Sequence, residues 1–374
     1  MIMKRLFVLL LIAVASTTAT SGQSPKHAVT PRPAGTPFSP DELHAFAALE
    51  PIDTHSHVFQ VAPVFNAMLQ KLHLHIVDIC VVDDHGKPPR TLHPQLEQAL
   101  DVVHASEGRA VLCTTFDPFK FRDPDFAQAA IRQLNQNFDE GAIAVKIWKN
   151  IGMELQDSKG NYILPDDPVF SPIYKDIAAH HKTLIAHIAD PDSLWQAPNP
   201  ASPDYSYYME HPEWYMYRKP HPASKEAILL ARDHVLEQNP DLRVVGAHLG
   251  SMESNFDELA QHLDKYPNFA VDLAARMPYL FLAPREKMIA FLTKYQDRLT
   301  YATDLGLHSG EDPAAAVKEW EETYARDWRY LATSGTIMYR NRKVQGLGLP
   351  EPVLRKIYHD NAVHWFPGVL GSGQ

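Results

Sequence analysis

The chain has 374 residues, 45% of them hydrophobic, with 35 Lys and Arg against 45 Asp and Glu. That length fits one large α/β barrel or two ordinary domains, with apolar residues enough for a sizeable core. A net charge of −10 excludes a basic nucleic-acid-binding surface, and two cysteines exclude a disulfide framework.

Lys4 and Arg5 precede an apolar run from Leu6 to Ala15, and Ala13-Val14-Ala15 gives an A-x-A cleavage pattern. This is the layout of a secretory signal over residues 1–23, and the run is too short to span a membrane. The mature protein is therefore expected to be secreted or periplasmic, without stable membrane insertion, and removal of Lys4 and Arg5 takes the charge to −12. Residues 24–40 are rich in Ser, Thr, Pro and Gly and read as a flexible tether. Residues 41–370 read as one domain.

Pro51 breaks the preceding helix-like segment, and Ile52-Asp53-Thr54-His55-Ser56-His57-Val58 reads as a strand. Residues two apart share a face of a strand, so His55 and His57 project together as half of a tetrahedral metal site. Seven further apolar runs follow, each ending in a polar stretch: Ile76–Asp84, Ala110–Asp117, Ala142–Trp148, Thr183–Asp190, Leu242–Leu249, Phe269–Ala275 and Leu299–Leu305. Such runs suit parallel strands buried on both faces. Helical spacing separates them, as in Phe126, Ala129, Ala130 and Leu134, or Phe256, Leu259, Ala260 and Leu263. Eight alternations predict a (β/α)8 TIM barrel. An open doubly wound sheet is the second choice, but no Gly-rich turn follows Val58. Cys80 and Cys113 each fall inside a strand run and are expected as packed thiols, with one bridge between neighbouring strands left open.

In a barrel, residues at the C-terminal strand ends face the active-site mouth. His55, His57, Lys146, His187, His248 and Asp304 have that address. His73 and His75 precede strand two, and His180 and His181 precede strand five, so these four belong to the opposite end. Asp53 can either orient a ligand imidazole or bond to backbone. The segment at about 191–223 carries Trp195, Tyr205, Tyr207, Tyr208, Trp214, Tyr215 and Tyr217 with many prolines. It suits either an aromatic lid or a subunit interface in a homo-oligomer. His211 and His221 in this insertion are solvated histidines that reach substrate only if it closes as a lid. Asp157-Ser158-Lys159-Gly160-Asn161 marks a hairpin turn after strand four. Arg276, after strand seven, and Arg218, in the insertion, are each able to grip a carboxylate or to form a structural salt bridge.

The motifs Asp53-Thr54-His55-Ser56-His57, Ala144-Val145-Lys146-Ile147, Leu184-Ile185-Ala186-His187, Gly246-Ala247-His248-Leu249-Gly250 and Thr303-Asp304 resemble the amidohydrolase superfamily. The resemblance runs from about Pro51 to Phe366, with Asp360-Asn361-Ala362 similar to the tail of the branch that includes aminocarboxymuconate semialdehyde decarboxylase and resorcylate decarboxylase. It implies that His55, His57, His187 and Asp304 hold a divalent metal, zinc, as one ion rather than two. It implies for His248 a proton-handling role with one metal, or ligation of a second ion. Lys146 matches a lysine that bridges two ions when carboxylated and stays an amine in one-metal relatives; a structural ammonium paired with an acid is the plainer reading.

A bound metal lowers the pKa of water from about 16 to about 7. Asp304 is placed to take the proton of the attacking water, and His248 to polarise a carbonyl or protonate a leaving group. The sequence is thus expected to encode an exported metal-dependent hydrolase acting on an amide, lactone or ester of a small organic molecule. The alternative is a metal-dependent non-oxidative decarboxylase of an aromatic or unsaturated acid. A silent barrel that only binds a metabolite needs no open metal site. Arg276 and Trp195 are the candidate substrate contacts.

Overall fold

The structure is a computed structural model that describes residues 35–85 and 89–371. The signal segment, and residues 24–34 of the tether, lie outside the described residues. Residues 35–39 are fastened to the helix Pro313–Ala332: Gly35 N–H donates to Glu322 at 3.1 Å, and Arg329 donates to the Thr36 and Pro37 carbonyls at 2.6 Å. Ser39 then starts the helix Pro40–Ala47 with a capping box completed by Glu42.

The strands are β1 Ile52–Val58, β2 His75–Ile79, β3 Ala110–Thr115, β4 Ala144–Ile147, β5 Thr183–Ala186, β6 Arg243–Gly246, β7 Phe269–Asp272, β8 Leu299–Thr300 and β9 Leu305–Leu307. They form one parallel sheet in the order β8-β7-β6-β5-β4-β3-β2-β1-β9. The run read as strand eight is split, because Tyr301–Asp304 leaves the ladder between β8 and β9. The split closes the barrel. Leu273 N–H donates to Thr300 O on one side, and Thr54 N–H donates to Tyr301 O on the other. Above this seam Asp304 N–H reaches His55 O at 2.8 Å, and β9 pairs with β1 from Ser56 to Val58.

Helices cover the outside, following every strand but β8, from Pro63–Leu72 and Leu92–Ala105 round to Pro313–Ala332. Side chains alternate with period two. Val77, Ile79, Val111, Cys113, Ala144, Ile185, Val245 and Ala270 form one apolar cluster inside the barrel, and Ile76, Ala110, Val145, Leu184, Val244 and Val271 join the outer layer under the helices. The inner cluster includes Ala362, Trp365, Phe366 and Val369. Asn361 bonds the Gln296 and Leu299 carbonyls at the start of β8, and Thr183 at the start of β5 donates to Trp365 O. The helix Asn361–Trp365 thus plugs the N-terminal end of the barrel.

The same alternation decides the cysteines. Cys113 faces the interior cluster and Cys80 faces outward under Leu92–Ala105, so the two thiols lie on opposite faces and are free. At the plugged end, His73 ends the helix Pro63–Leu72 and His75 begins β2. His180 and His181 lie just before β5. Among the described residues no helix is long and apolar enough to cross a membrane. A two-stranded hairpin, β10 Thr336–Tyr339 with β11 Arg342–Gln345, was not anticipated from sequence; Arg340 and Asn341 make its turn at positive φ.

Candidate metal centre at the barrel mouth

The ends of β1, β4, β5, β6 and β7 and the turn before β9 lend side chains to one cluster. Inward-facing Lys146, His187 and Asp272 follow Ala144, Ile185 and Ala270 by two residues, so the polar layer sits directly on the apolar one. His55, Lys146, His187, His248 and Asp272 are all buried. His57 and Asp304 retain side-chain exposures of 15% and 31%, which places them at the solvent side of the cavity.

All four imidazoles are tied at one nitrogen to a group that can only accept. His57 Nδ1 donates to Ile79 O at 2.7 Å, and His248 Nδ1 to Ala274 O at 2.9 Å. His55 Nδ1 donates to Asp272 Oδ2 at 2.9 Å, and His187 Nε2 to Asp190 Oδ1 at 2.9 Å. The second nitrogen of each neutral ring is then a lone pair, and that of His55 has the Lys146 Nζ 3.1 Å away. These nitrogens point at one another and at a carboxylate. His55 Nε2 and His57 Nε2 each lie 3.3 Å from Asp304 Oδ1, and His248 Nε2 lies 3.2 Å from His187 Nδ1. Lone pairs held face to face in a buried cavity repel unless a cation lies between them, so the donor set fits a divalent metal ion. Ligand atoms of His55, His248 and Asp304 all fall within 4.8 Å of one another.

Burial pushes His55, His187 and His248 further towards the neutral form. It lowers His187 to about 3 against the pull of Asp190, and lowers His55 and His248 as well. Burial alone would raise Asp304, but His248, His55 and His57 around it hold it well below the usual carboxylate range. Burial lowers Lys146 to about 8 against the attraction of Asp272 and Asp304, and its Nζ lies 3.1 Å from His55 Nε2.

Backbone strain aims two of these groups. His248, Leu249, Gly250 and Ser251 all have positive φ, a left-handed turn directly after β6. Asp304 has φ 65°. Left-handed non-glycine residues cost about 1–2 kcal/mol each and survive where surrounding contacts fix them. Asp272 supplies such contacts: its Oδ1 accepts from His248 N–H at 2.7 Å and from Ala274 N–H at 3.1 Å.

The family model described as Amidohydrolase matches residues 97–368. The chain belongs to the amidohydrolase family. No curated protein matches it by sequence. Solved structures similar to this amidohydrolase include a 2,6-dihydroxybenzoate decarboxylase complexed with 2,6-dihydroxybenzoate, at TM-score 0.50 and 13% identity over 84% of this chain and 98% of that one. A dihydroxybenzoic acid decarboxylase from Polaromonas sp. JS666, with bound manganese and the inhibitor 2-nitroresorcinol, has TM-score 0.49 and 12% identity over 84% and 96%. A 4-oxalomesaconate hydratase from Rhodopseudomonas palustris has TM-score 0.48 and 12% identity over 85% and 95%. The first of these carries the barrel fold. Amidohydrolases use a divalent metal, and the donor set suits one.

Other residues of this amidohydrolase sit as follows. Asp53 does not reach a ligand imidazole. Its carboxyl accepts from the backbone of His55 and Thr303 and from the hydroxyls of Thr303 and Tyr324, which ties β1 to the start of the Asp304 turn. Burial raises it to about 7. The imidazole-orienting role belongs instead to Asp272 and Asp190. Both lay inside runs read as strand, and the true strands end at Asp272 and Ala186. Arg276 is buried with Nε 3.6 Å from Glu253. Trp195 donates its indole N–H to Ala223 O at 2.8 Å, joining the two ends of the insertion. Aromatic rings beside the cluster are Trp148, 6.5 Å from His187 between ring centres, and Phe59, 6.5 Å from His57; Trp214 lies 4.9 Å from Trp148. Arg218 lies over the Tyr215 ring at 5.1 Å.

Proposed function

We propose that this chain is a metal-dependent hydrolase that cleaves an amide, lactone or ester carbonyl bond of a small organic substrate. The observation that supports it is the set of four imidazoles, each tied at one nitrogen and presenting a lone pair at the other, with His55 Nε2 and His57 Nε2 each 3.3 Å from the Asp304 carboxylate. His55, His57, His187 and Asp304 would hold one zinc ion; a second ion would need His248 and a carboxylated Lys146. When bound, such an ion supplies Lewis acidity and lowers the pKa of water to about 7. Asp304 Oδ1, kept ionised by its neighbours, takes the proton released as water attacks the carbonyl carbon. His248 Nε2, a lone pair while Nδ1–H donates to Ala274 O, receives that proton from Asp304 and passes it to the leaving group. Arg276, whose charge is felt at His248, anchors an anionic group of the substrate. Trp195 remains a candidate contact through its ring face. Export from the cytoplasm is proposed from residues 1–23 alone, and N-terminal sequencing of the native protein tests it.

Elemental analysis of wild type, His187→Ala, His248→Ala and Lys146→Ala, with a turnover screen over lactones, esters, amides and aromatic acids, tests the reading. With one ion, His187→Ala loses metal, while His248→Ala keeps it and turnover falls by roughly 10²–10⁴. Loss of about one ion in both His248→Ala and Lys146→Ala would establish two ions. Release of CO₂ from an aromatic acid, with every ester, amide and lactone left intact, would move the assignment to a decarboxylase. Full metal and full activity in His187→Ala would refute the site.

A further inference from the structure

Lys149 and Asp190 are both buried and bound to each other beside His187. The Lys149 ammonium and the Asp190 carboxylate have side-chain exposures of 1% and 4%, and Nζ lies 2.6 Å from Oδ2. They meet because Ile147 of β4 pairs with Ala186 of β5, so the loops that follow leave the barrel side by side. Around the ammonium stand three rings, with Nζ 4.5 Å from the centre of Trp214, 5.2 Å from Tyr207 and 5.5 Å from Trp148. Nζ also donates to the Tyr207 hydroxyl at 3.3 Å. Tyr207 and Trp214 belong to the insertion.

We propose that Lys149 is a positioning residue that acts through Asp190 to hold His187 with its bare Nδ1 turned to the metal centre, and that the insertion supplies the cage that keeps Lys149 there. This rests on the reading of His187 as a metal ligand. A carboxylate bound at one oxygen alone can swing about its own bond. Asp190 is bound at both, Oδ1 to His187 and Oδ2 to Lys149, so it cannot turn without breaking a buried charged contact. Its fixed Oδ1 selects the tautomer of His187 in which Nε2 carries the hydrogen and Nδ1 is free. A buried ammonium needs its own compensation, and the ring faces of Trp214, Tyr207 and Trp148 provide it together with the carboxylate. The insertion is therefore a strut of the metal centre as well as a wall of the mouth. The competing role for Lys149 is a fastener that pins the insertion and leaves His187 indifferent.

The test uses the full chain stripped of metal and titrated with Zn²⁺ against a chelating indicator, so that the readout is affinity and not turnover. Partners of metal-binding histidines change affinity by about 10–100-fold when removed. Asp190→Ala is expected in that range and Lys149→Met at about tenfold, with Lys149→Arg regaining most of the loss. Because the two residues act in series, the double variant Lys149→Met/Asp190→Ala should bind no more weakly than Asp190→Ala alone. Trp214→Leu, which removes the nearest ring and leaves the ion pair, should weaken Zn²⁺ binding by roughly threefold, in line with a cation–π contact; it also serves if Lys149→Met does not fold. Wild-type affinity in Lys149→Met or Trp214→Leu, or additive losses in the double variant, overturns the proposal. His187→Ala separates the two readings. If it loses Zn²⁺ while Lys149→Met does not, the metal centre stands and the positioning role falls. If His187→Ala binds Zn²⁺ as wild type does, His187 is no ligand and both fall.

Discussion

Asp272 carries three hydrogen bonds that serve three strand ends, the His55 imidazole on β1 and the His248 and Ala274 amides after β6 and β7. Replacing it by Ala leaves two buried N–H groups and one ring nitrogen without an acceptor, at about 1–3 kcal/mol for each unsatisfied group. Asp272→Ala should therefore lower unfolding free energy by at least about 2 kcal/mol in a urea titration, and metal affinity by about 10–100-fold. Asp272→Asn keeps an oxygen for the amides and should recover stability better than affinity. At this scale the clustering of His55, His57, Lys146, His187, His248 and Asp304 was legible because a polar side chain at the end of an apolar run has an address in a barrel. The residues that aim those ligands were not. Asp190 and Asp272 stood within runs whose ends were read too far along, and Lys149 carried no signal beyond following Trp148. Asp53 has the right spacing from His55, but the register of β1 on β2 shifts between Asp53 and Ser56. Its carboxyl consequently meets Thr303 and Tyr324.

Among the elements, the left-handed turn from His248 to Ser251 depends on what precedes it. A Cβ on Gly246 would lie 2.7 Å from Gly250 Cα and 2.8 Å from the Phe269 ring. Gly246→Ala should cost about 1–3 kcal/mol by overpacking and should reduce turnover further, since His248 rides on the displaced turn; stability and kcat measured together check both. The helix Pro313–Ala332 offers a pH test. Arg329 holds both oxygens of Glu42 at 2.7 Å, and this hydrogen-bonded pairing brings Glu42 down from 4.5 to about 2. A carboxylate with a depressed folded pKa stabilises above its unfolded pKa and loses that contribution as pH falls through the folded one. Glu42→Gln should then be less stable by about 1 kcal/mol at pH 7, a partly exposed pair being screened. The difference from wild type should shrink steadily between about pH 4.5 and 2. A gap that stays constant over that window would show that the ion pair contributes nothing. Strand existence was readable from apolar runs, strand length was not. The runs continue past the ladder because β-type sequence also lines the mouth, and the hairpin of β10 and β11 lacks any such run.

For the whole molecule, eight alternations were enough to specify a closed barrel, since each parallel pair requires a crossover helix and the apolar runs leave no face for solvent. What the alternation does not specify is how the ends are sealed. The helix Asn361–Trp365 seals one, with Trp365 buried in the inner cluster. Trp365→Ala should lower stability by about 3–5 kcal/mol, seen as an earlier urea midpoint, while the metal content of the folded fraction stays at the wild-type value because the cavity lies at the other end. Retained stability would mean that the plug is dispensable. The seam between β1 and the eighth strand has a consequence in time. Its partners Asp53 and Thr303 are separated by 250 residues, which at about 5–20 residues per second is roughly 10–50 s of synthesis. Throughout that interval a growing chain has His55 and His57, and later His187 and His248, without the carboxylate of Asp304. The polar cluster at the mouth is thus completed late in synthesis, when the eighth strand reaches the first.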